Sequence, residues 1–480
     1  MKRAFVFALF TVLLAGSAFA QAKKDSKAAA GPELVAPPLA PANAPAIPAH
    51  ASPYNFAGIQ YPRIEADSRV TFHFAAPNAQ KVQVSVVSQT FDMVKGADGV
   101  WAYTTAQPMA PGYHNYWMIV DGAITLDPNT QAFIGYGHMC NGFEVPEAGV
   151  DWYDIKDVPH GHVTQENYFA KSINAWRHIY VYTPPGYDAN LKTRYPVFYL
   201  QHGGGEDERV WTEMGRTNVI LDNLLAQGKV KPMIVVMETS ATGGPDSSGG
   251  RPGIGGAPAA GGGGRGPGAA PGAAGGGRAA AQAPAAPGAA PAAGAGRGAG
   301  FPGIGGPGGG AYGQFMTSEL IPWVDKNFRT IADKDHRAMA GLSMGGMQTA
   351  SVTMNNLDKF SYIGLFSGGA AAGGPGRGRG GAPGAAPAAA APPAPAAPAA
   401  LDFNSIYSGA MKSIPDFNKK VHVLFMSCGS LENADGLVAH QKQLADAGIA
   451  HSYVYISPGT AHEWQTWRRS LYAFAPLLFR

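Results

Sequence analysis

Three side chains, far apart in the chain, have the types and settings that acyl transfer demands. Ser343 lies in Gly341-Leu342-Ser343-Met344-Gly345-Gly346, after a short apolar run and before a segment of helical period. A serine at a sharp strand-to-helix turn presents its hydroxyl clear of the backbone. Glycines are needed around it because the turn strains the serine backbone and brings strand and helix close together. In a chain with 65 glycines the bare pattern has little weight; the strand, turn and helix context carries the assignment of Ser343 as nucleophile. A hydroxyl is a weak nucleophile until a neighbouring base takes its proton. In this arrangement the partners follow in the order serine, acid, histidine. His462, in Pro458-Gly459-Thr460-Ala461-His462-Glu463-Trp464, stands late in the chain in a loop between a strand and a terminal helix. His440 falls inside a helix-like run and His451 begins a strand.

The acid is expected in the loop Cys428-Gly429-Ser430-Leu431-Glu432-Asn433-Ala434-Asp435. A carboxylate there accepts the imidazole N–H, fixes its tautomer and stabilises the imidazolium formed during attack. Glu432 and Asp435 both fit on spacing; Glu432 is favoured because its longer side chain reaches the site from further back, and Asp435 is the alternative. Charge develops on the substrate oxygen as the serine adds, so two backbone N–H groups should point at it. Met344, the residue after the nucleophile, supplies one. The other should come from a glycine-rich turn after an earlier strand, and Leu200-Gln201-His202-Gly203-Gly204-Gly205 provides it, with Gly204 as the expected donor. His202 is expected to orient that turn rather than to move protons.

Elements of two kinds must position these groups. Between about residues 54 and 150 the period is two, as in Val70, Phe72 and Phe74 or Val82, Val84 and Val86, and a strand from Tyr113 runs into the Asp121-Gly122 turn. Short strands with one buried face predict a small immunoglobulin-like β-sandwich over 52–150. Its aromatics Trp101, Tyr116 and Trp117 are expected in its core, with a sugar-stacking platform as the alternative. From about His160 apolar strands alternate with helix-length segments. Strands are predicted at 178–183, 197–201, 233–237, 337–340, 362–366, 421–427 and 453–456, with helices at 217–227, 319–327, 346–354 and 436–447. A mainly parallel sheet covered on both faces, an α/β fold, is the expected architecture over 159–480.

The remaining segments have other compositions. Lys2 and Arg3, an apolar run and Ala18-Phe19-Ala20 have the layout of a secretory signal over 1–20, which predicts a periplasmic or secreted protein with no membrane span. Residues 21–51 read as a disordered linker. Gly/Ala/Pro tracts at 241–310 and 369–400 read as surface insertions, passive fringes near the pocket mouth. The formal charge of +3 becomes about −4 once Lys2, Arg3 and the six arginines and one aspartate of the tracts are set aside, which argues against a nucleic-acid partner. The two cysteines, Cys140 and Cys428, are expected as buried free thiols.

Several motifs together resemble the esterase family that contains feruloyl, acetylxylan and enterochelin esterases. They are Pro159-His160-Gly161, Val181-Tyr182-Thr183-Pro184-Pro185-Gly186-Tyr187, His202-Gly203 with Trp211 downstream, Gly341 to Gly346, Cys428-Gly429, and His462-Glu463-Trp464 with Trp467. The resemblance implies an α/β-hydrolase fold and metal-free ester hydrolysis through an acyl-enzyme, with no cofactor. It puts the acid three residues after Gly429, on Glu432, where relatives commonly carry Asp. Trp464 and Trp211 become expected substrate-binding residues. The sandwich segment resembles the N-terminal modules of glycogen-branching enzymes and some carbohydrate esterases. The expected partner is a small-molecule or oligosaccharide ester, feruloylated or acetylated carbohydrate first, with a siderophore trilactone or transfer of the acyl group to a sugar as alternatives.

Overall fold

Alternation of apolar and polar residues builds the first part of the chain. In the strand Val70–Ala75, Val70, Phe72 and Phe74 are buried while their neighbours are not. The computed structural model describes residues 32–87, 89–172, 174–239, 310–370 and 400–480. These fall in one compact unit, Met1–Arg251 with Gly303–Arg480; the other unit, Pro252–Pro302, lies outside the described residues.

Two antiparallel sheets come first. One has the order His50–Ala51, Arg63–Ile64, Val70–Ala75, Val100–Thr104, Val94–Lys95. The other has the order Ala132–Gly135, His138–Val145, Gly112–Val120, Val82–Val86, Gln89–Asp92, with Ala123–Thr125 hairpinned onto Gly112–Val120. That hairpin turns at Asp121 and Gly122, both with positive φ (46° and 87°), as an Asp-Gly turn requires. Side chains from both sheets, among them Phe72, Trp101, Tyr116, Met118 and Phe143, form one buried cluster. Trp101 and Tyr116 are therefore core residues, and the Tyr116 hydroxyl donates to Asp127 Oδ2 at 2.9 Å. Trp117 is half-buried against Tyr136 and His138.

The described part of the expected linker, 32–51, is bound rather than free. Leu34 and Val35 pack on the large core, the Trp152 indole donates to the Pro38 carbonyl at 3.1 Å, and His50–Ala51 is a sheet strand. Composition misled here because a proline-rich segment has little entropy to lose, so a few apolar contacts suffice to hold it. The signal segment and nearly all of both Gly/Ala/Pro tracts lie outside the described residues.

The third sheet has eight strands in the order His162–Ala170, Ala175–Thr183, Ile234–Glu238, Val197–Gln201, Arg337–Leu342, Tyr362–Phe366, Val423–Gly429, Ser452–Ser457. From Ile234–Glu238 onward the pairs are parallel; the first two junctions are antiparallel. Both faces are covered. Phe198, Leu200, Val235, Ala338 and Ala340 face one core, while Val197, Tyr199, Ile234, Val236 and Met339 face another, which is why these strands read as continuous apolar runs. Cys140 and Cys428 are buried free thiols. No helix among the described residues is long and apolar enough to cross a membrane.

Candidate active site

Only Ser343 separates the strand Arg337–Leu342 from the helix Met344–Met354, and its backbone stands at φ 51°, ψ −116°. A residue with a Cβ is held in such a conformation only by its surroundings. Here the Ser343 N–H donates to the Phe366 carbonyl at 2.8 Å and the Ser343 carbonyl accepts from Met347 N–H at 3.2 Å. The glycines answer to space: a Cβ at Gly345 would collide with the carbonyls of Gln201 and His202, and one at Gly346 with that of Gly368.

The loops after the parallel strands meet over this turn, at the sheet edge where open α/β sheets bind ligands. His462 Nε2 lies 2.9 Å from Ser343 Oγ, and His462 Nδ1 lies 2.8 Å from Glu432 Oε2. The second Glu432 oxygen accepts from the Gly429 N–H at 2.7 Å and the Ser367 hydroxyl at 2.8 Å. Ser367 Oγ in turn accepts the Trp467 indole N–H at 3.1 Å, and the Trp467 ring stands at 90° to the imidazole. Burial raises the Glu432 carboxyl, but the bonds from His462, Gly429 and Ser367 outweigh it and hold the group below its ordinary range. An ionised acceptor at Nδ1 leaves Nε2 free to take the serine proton. Asp435 sits exposed in the first turn of the helix Ala434–Asp446, so the acid brought to His462 is Glu432. Ser367, at φ 49°, went unrecognised in the sequence; its place directly after the strand Tyr362–Phe366 was the available signal.

The Gly203 N–H is taken by Glu206 Oε2 at 2.8 Å. Gly204 is open, with nothing nearer than 4.0 Å to where a Cβ would stand, the neighbours there being Met344 atoms. His202 is buried, with Nδ1 2.7 Å from the Gly203 carbonyl. A cavity of about 150 Å³ opens on Ser343 and His462, lined from the catalytic part of the chain also by Gly203, Gly204, Glu206, Leu342, Trp464 and Trp467. A further wall comes from the N-terminal sheets and their turns: Val87, Tyr113, His114, Asn115 and Tyr136. Trp211 is absent from this lining. It lies beneath, its ring edge-on to Trp464 and its indole N–H donating to the Gln201 carbonyl at 2.9 Å. The expectation that Trp211 touches substrate is thereby corrected, since a Trp whose N–H has a buried backbone partner serves the core.

The wall is fastened to the helix that follows His462. In Trp464–Phe474, Arg468 pairs with Glu144 at 2.5 and 3.1 Å, and Arg469 with Glu147 at 2.8 Å, all four side chains buried. Burial raises the Glu144 carboxyl, yet the adjacent Arg468 guanidinium holds it below its ordinary range.

The chain is similar to known proteins in sequence and in fold. The model of the Esterase family, described as Putative esterase, matches residues 170–250 and 290–478. An endo-1,4-beta-xylanase/feruloyl esterase of Xylanibacter ruminicola is 32% identical over 436 residues, 89% of this chain and 47% of that protein. Endo-1,4-beta-xylanase Y of Acetivibrio thermocellus is 40% identical over 80 residues, 16% of this chain and 7% of that protein. The chain thus spans less than half the length of either relative. Among solved structures, an enterobactin esterase from Shigella flexneri superposes with a TM-score of 0.52 at 15% identity, over 85% of this chain and 92% of that one. At that identity the likeness concerns the fold, which is α/β-hydrolase-like.

Proposed function

From the premise that the chain belongs to the Esterase family, and is a carboxylic ester hydrolase, we propose an exported serine esterase that removes feruloyl groups from acylated carbohydrate through an acyl-enzyme. The observation that carries this reading is the continuous line of hydrogen bonds from Ser343 Oγ through His462 to Glu432, whose first two members line a cavity with aromatic side chains. Ser343 Oγ attacks the ester carbonyl carbon while His462 Nε2 takes its proton; the N–H groups of Met344 and Gly204 receive the charge on the carbonyl oxygen. The tetrahedral adduct collapses, the C–O bond to the sugar breaks, and the leaving alkoxide takes the proton from His462. Water then gives a proton to Nε2 as its oxygen adds to the acyl carbon; the second adduct collapses, the bond to Ser343 Oγ breaks, and Oγ takes the proton back from His462 as the acid leaves. Glu432 orients the imidazole throughout.

Feruloyl is favoured over acetyl because Tyr113, Tyr136, Trp464 and Trp467 line a cavity larger than an acetyl group needs. Its described lining contains no Lys or Arg, which disfavours an anionic ferric catecholate. The name of the Xylanibacter relative points the same way. The N-terminal sheets are read as an immunoglobulin-like domain over 52–150 that completes the pocket, ahead of a catalytic domain over 159–480. A hydrolysis panel of feruloylated, acetylated and catecholate esters checks the substrate, and product analysis with an added sugar acceptor separates hydrolysis from transfer. S343A is expected to lower kcat on a nitrophenyl ester by about 10³-fold or more with the fold intact; persistence of turnover would sink the assignment.

A further inference from the structure

We propose that Glu206 is a positioning residue for the Gly203-Gly204 turn, that it works as the neutral acid, and that its ionisation switches the enzyme off from the alkaline side. This rests on the serine esterase reading of the site.

The geometry is close. A Cβ built at Gly203 would stand 3.0 Å from Glu206 Oε2 and 3.6 Å from the Ser343 Cβ. Gly203 thus has the Glu206 carboxyl and the nucleophile's Cβ both close to its Cα, and Gly203, Gly204, Glu206 and Ser343 line one cavity. The turn is pinned twice. Gly203 donates to Glu206 Oε2 at 2.8 Å, and the Gly205 carbonyl accepts from Gly137 N–H of the N-terminal sheets at 2.9 Å. Between those two pins the direction of the Gly204 N–H is determined. Releasing the Gly203 pin lets the turn rotate and misaims the donor without removing it.

The surroundings select the neutral form. Burial pushes the Glu206 carboxyl up, the Gly203 N–H opposes this, and the like charge of Asp207 adds to the rise, to about 8. The titratable groups around it are Asp207 on its own turn, Cys140 from His138–Val145, Tyr113 and His114 from Gly112–Val120, Tyr136, and His462 and Glu463 ahead of the terminal helix. No Lys or Arg stands among the described residues lining the cavity to balance a carboxylate there. The Cys140 thiol, pushed up to about 12 by burial first and Glu206 second, stays protonated. Above about pH 8 a negative charge appears in the lining of the site where a second negative charge must develop on the substrate oxygen, and the two repel.

The test is the pH dependence of kcat and KM for the full chain on a nitrophenyl ester, corrected for spontaneous hydrolysis. The wild type should lose about tenfold in kcat per pH unit above about 8. E206A should lower kcat at pH 7 about tenfold or more, short of the ~10²–10³ for outright loss of a donor, with KM within about threefold. E206Q, whose amide oxygen still accepts from Gly203, should rescue most of that loss and carry no alkaline limb. A limb that persists in E206Q, a wild type without one, or an E206A with unchanged kcat would each overturn the proposal. Should E206A not fold, the wild-type and E206Q profiles decide. Turnover retained by S343A would instead overturn the reading of the site itself.

Discussion

Glu432 has both carboxylate oxygens engaged, one by His462 and the other by Gly429 and Ser367, so its orientation leaves the imidazole no choice of partner. Replacing it with Gln supplies an amide that can present N–H where an acceptor is required and favours the wrong tautomer. E432Q is expected to lower kcat by about 10²–10⁴-fold, while D435A stays within about twofold; steady-state hydrolysis of a nitrophenyl ester checks both. The spacing from Gly429 left the two acids open, and the helix starting at Ala434 separated them by turning Asp435 to solvent. Ser343 and His462 were legible because each sits in a local motif. Glu206 was not. Its significance lies in a contact with Gly203 and in a place beside Ser343 in the cavity lining, neither of which a run of four residues reveals.

At the scale of elements, the nucleophile turn depends on backbones packed without intervening side chains. Gly345 lies on the carbonyls of Gln201 and His202, from the neighbouring strand and the turn after it. G345A is expected to destabilise the protein by about 2–4 kcal/mol and to misplace the turn that carries Gly204, seen as a lower urea midpoint together with reduced kcat. The parallel strands were readable to within two or three residues at either end because both of their faces are buried. The strand His162–Ala170 was missed. It pairs antiparallel at the sheet edge and is largely exposed, so it has neither the apolar run nor a clean alternation. The helix before Asn327 was read as starting at Glu319; it continues from an irregular wide turn, Met316–Leu320, that no local composition marks.

Across the whole molecule, the N-terminal sheets and the catalytic sheet share one active-site wall and one set of buried ion pairs. Arg468 and Glu144 are 324 residues apart in the chain and bonded twice. Removing Arg468 leaves the buried Glu144 carboxylate only the more distant Arg216, at 3.5 Å, so R468M should cost about 3 kcal/mol in urea unfolding. The E144Q/R468M double variant should cost less than the sum of its single variants, with a coupling of about 1–3 kcal/mol. Additive effects would show that the pair does not act as a unit. Because Arg468 lies on the helix that begins two residues after His462, loss of the pair should also reduce kcat.

What the sequence by itself determined is whatever depends on neighbours in the chain: two kinds of periodicity, a glycine-bounded serine, a histidine after the last strand, and the motifs of an esterase family. Tertiary structure alone decided matters that depend on approach between distant segments. It selected Glu432 over Asp435, sank Trp211 into the core, bound the 32–51 segment, and brought Tyr113, Asn115 and Tyr136 to the cavity. The physical reason is the same in each case. Burial, ion pairing and the direction of a side chain are properties of three-dimensional neighbourhoods, whereas spacing along the chain constrains only hydrogen bonds and packing within a few residues.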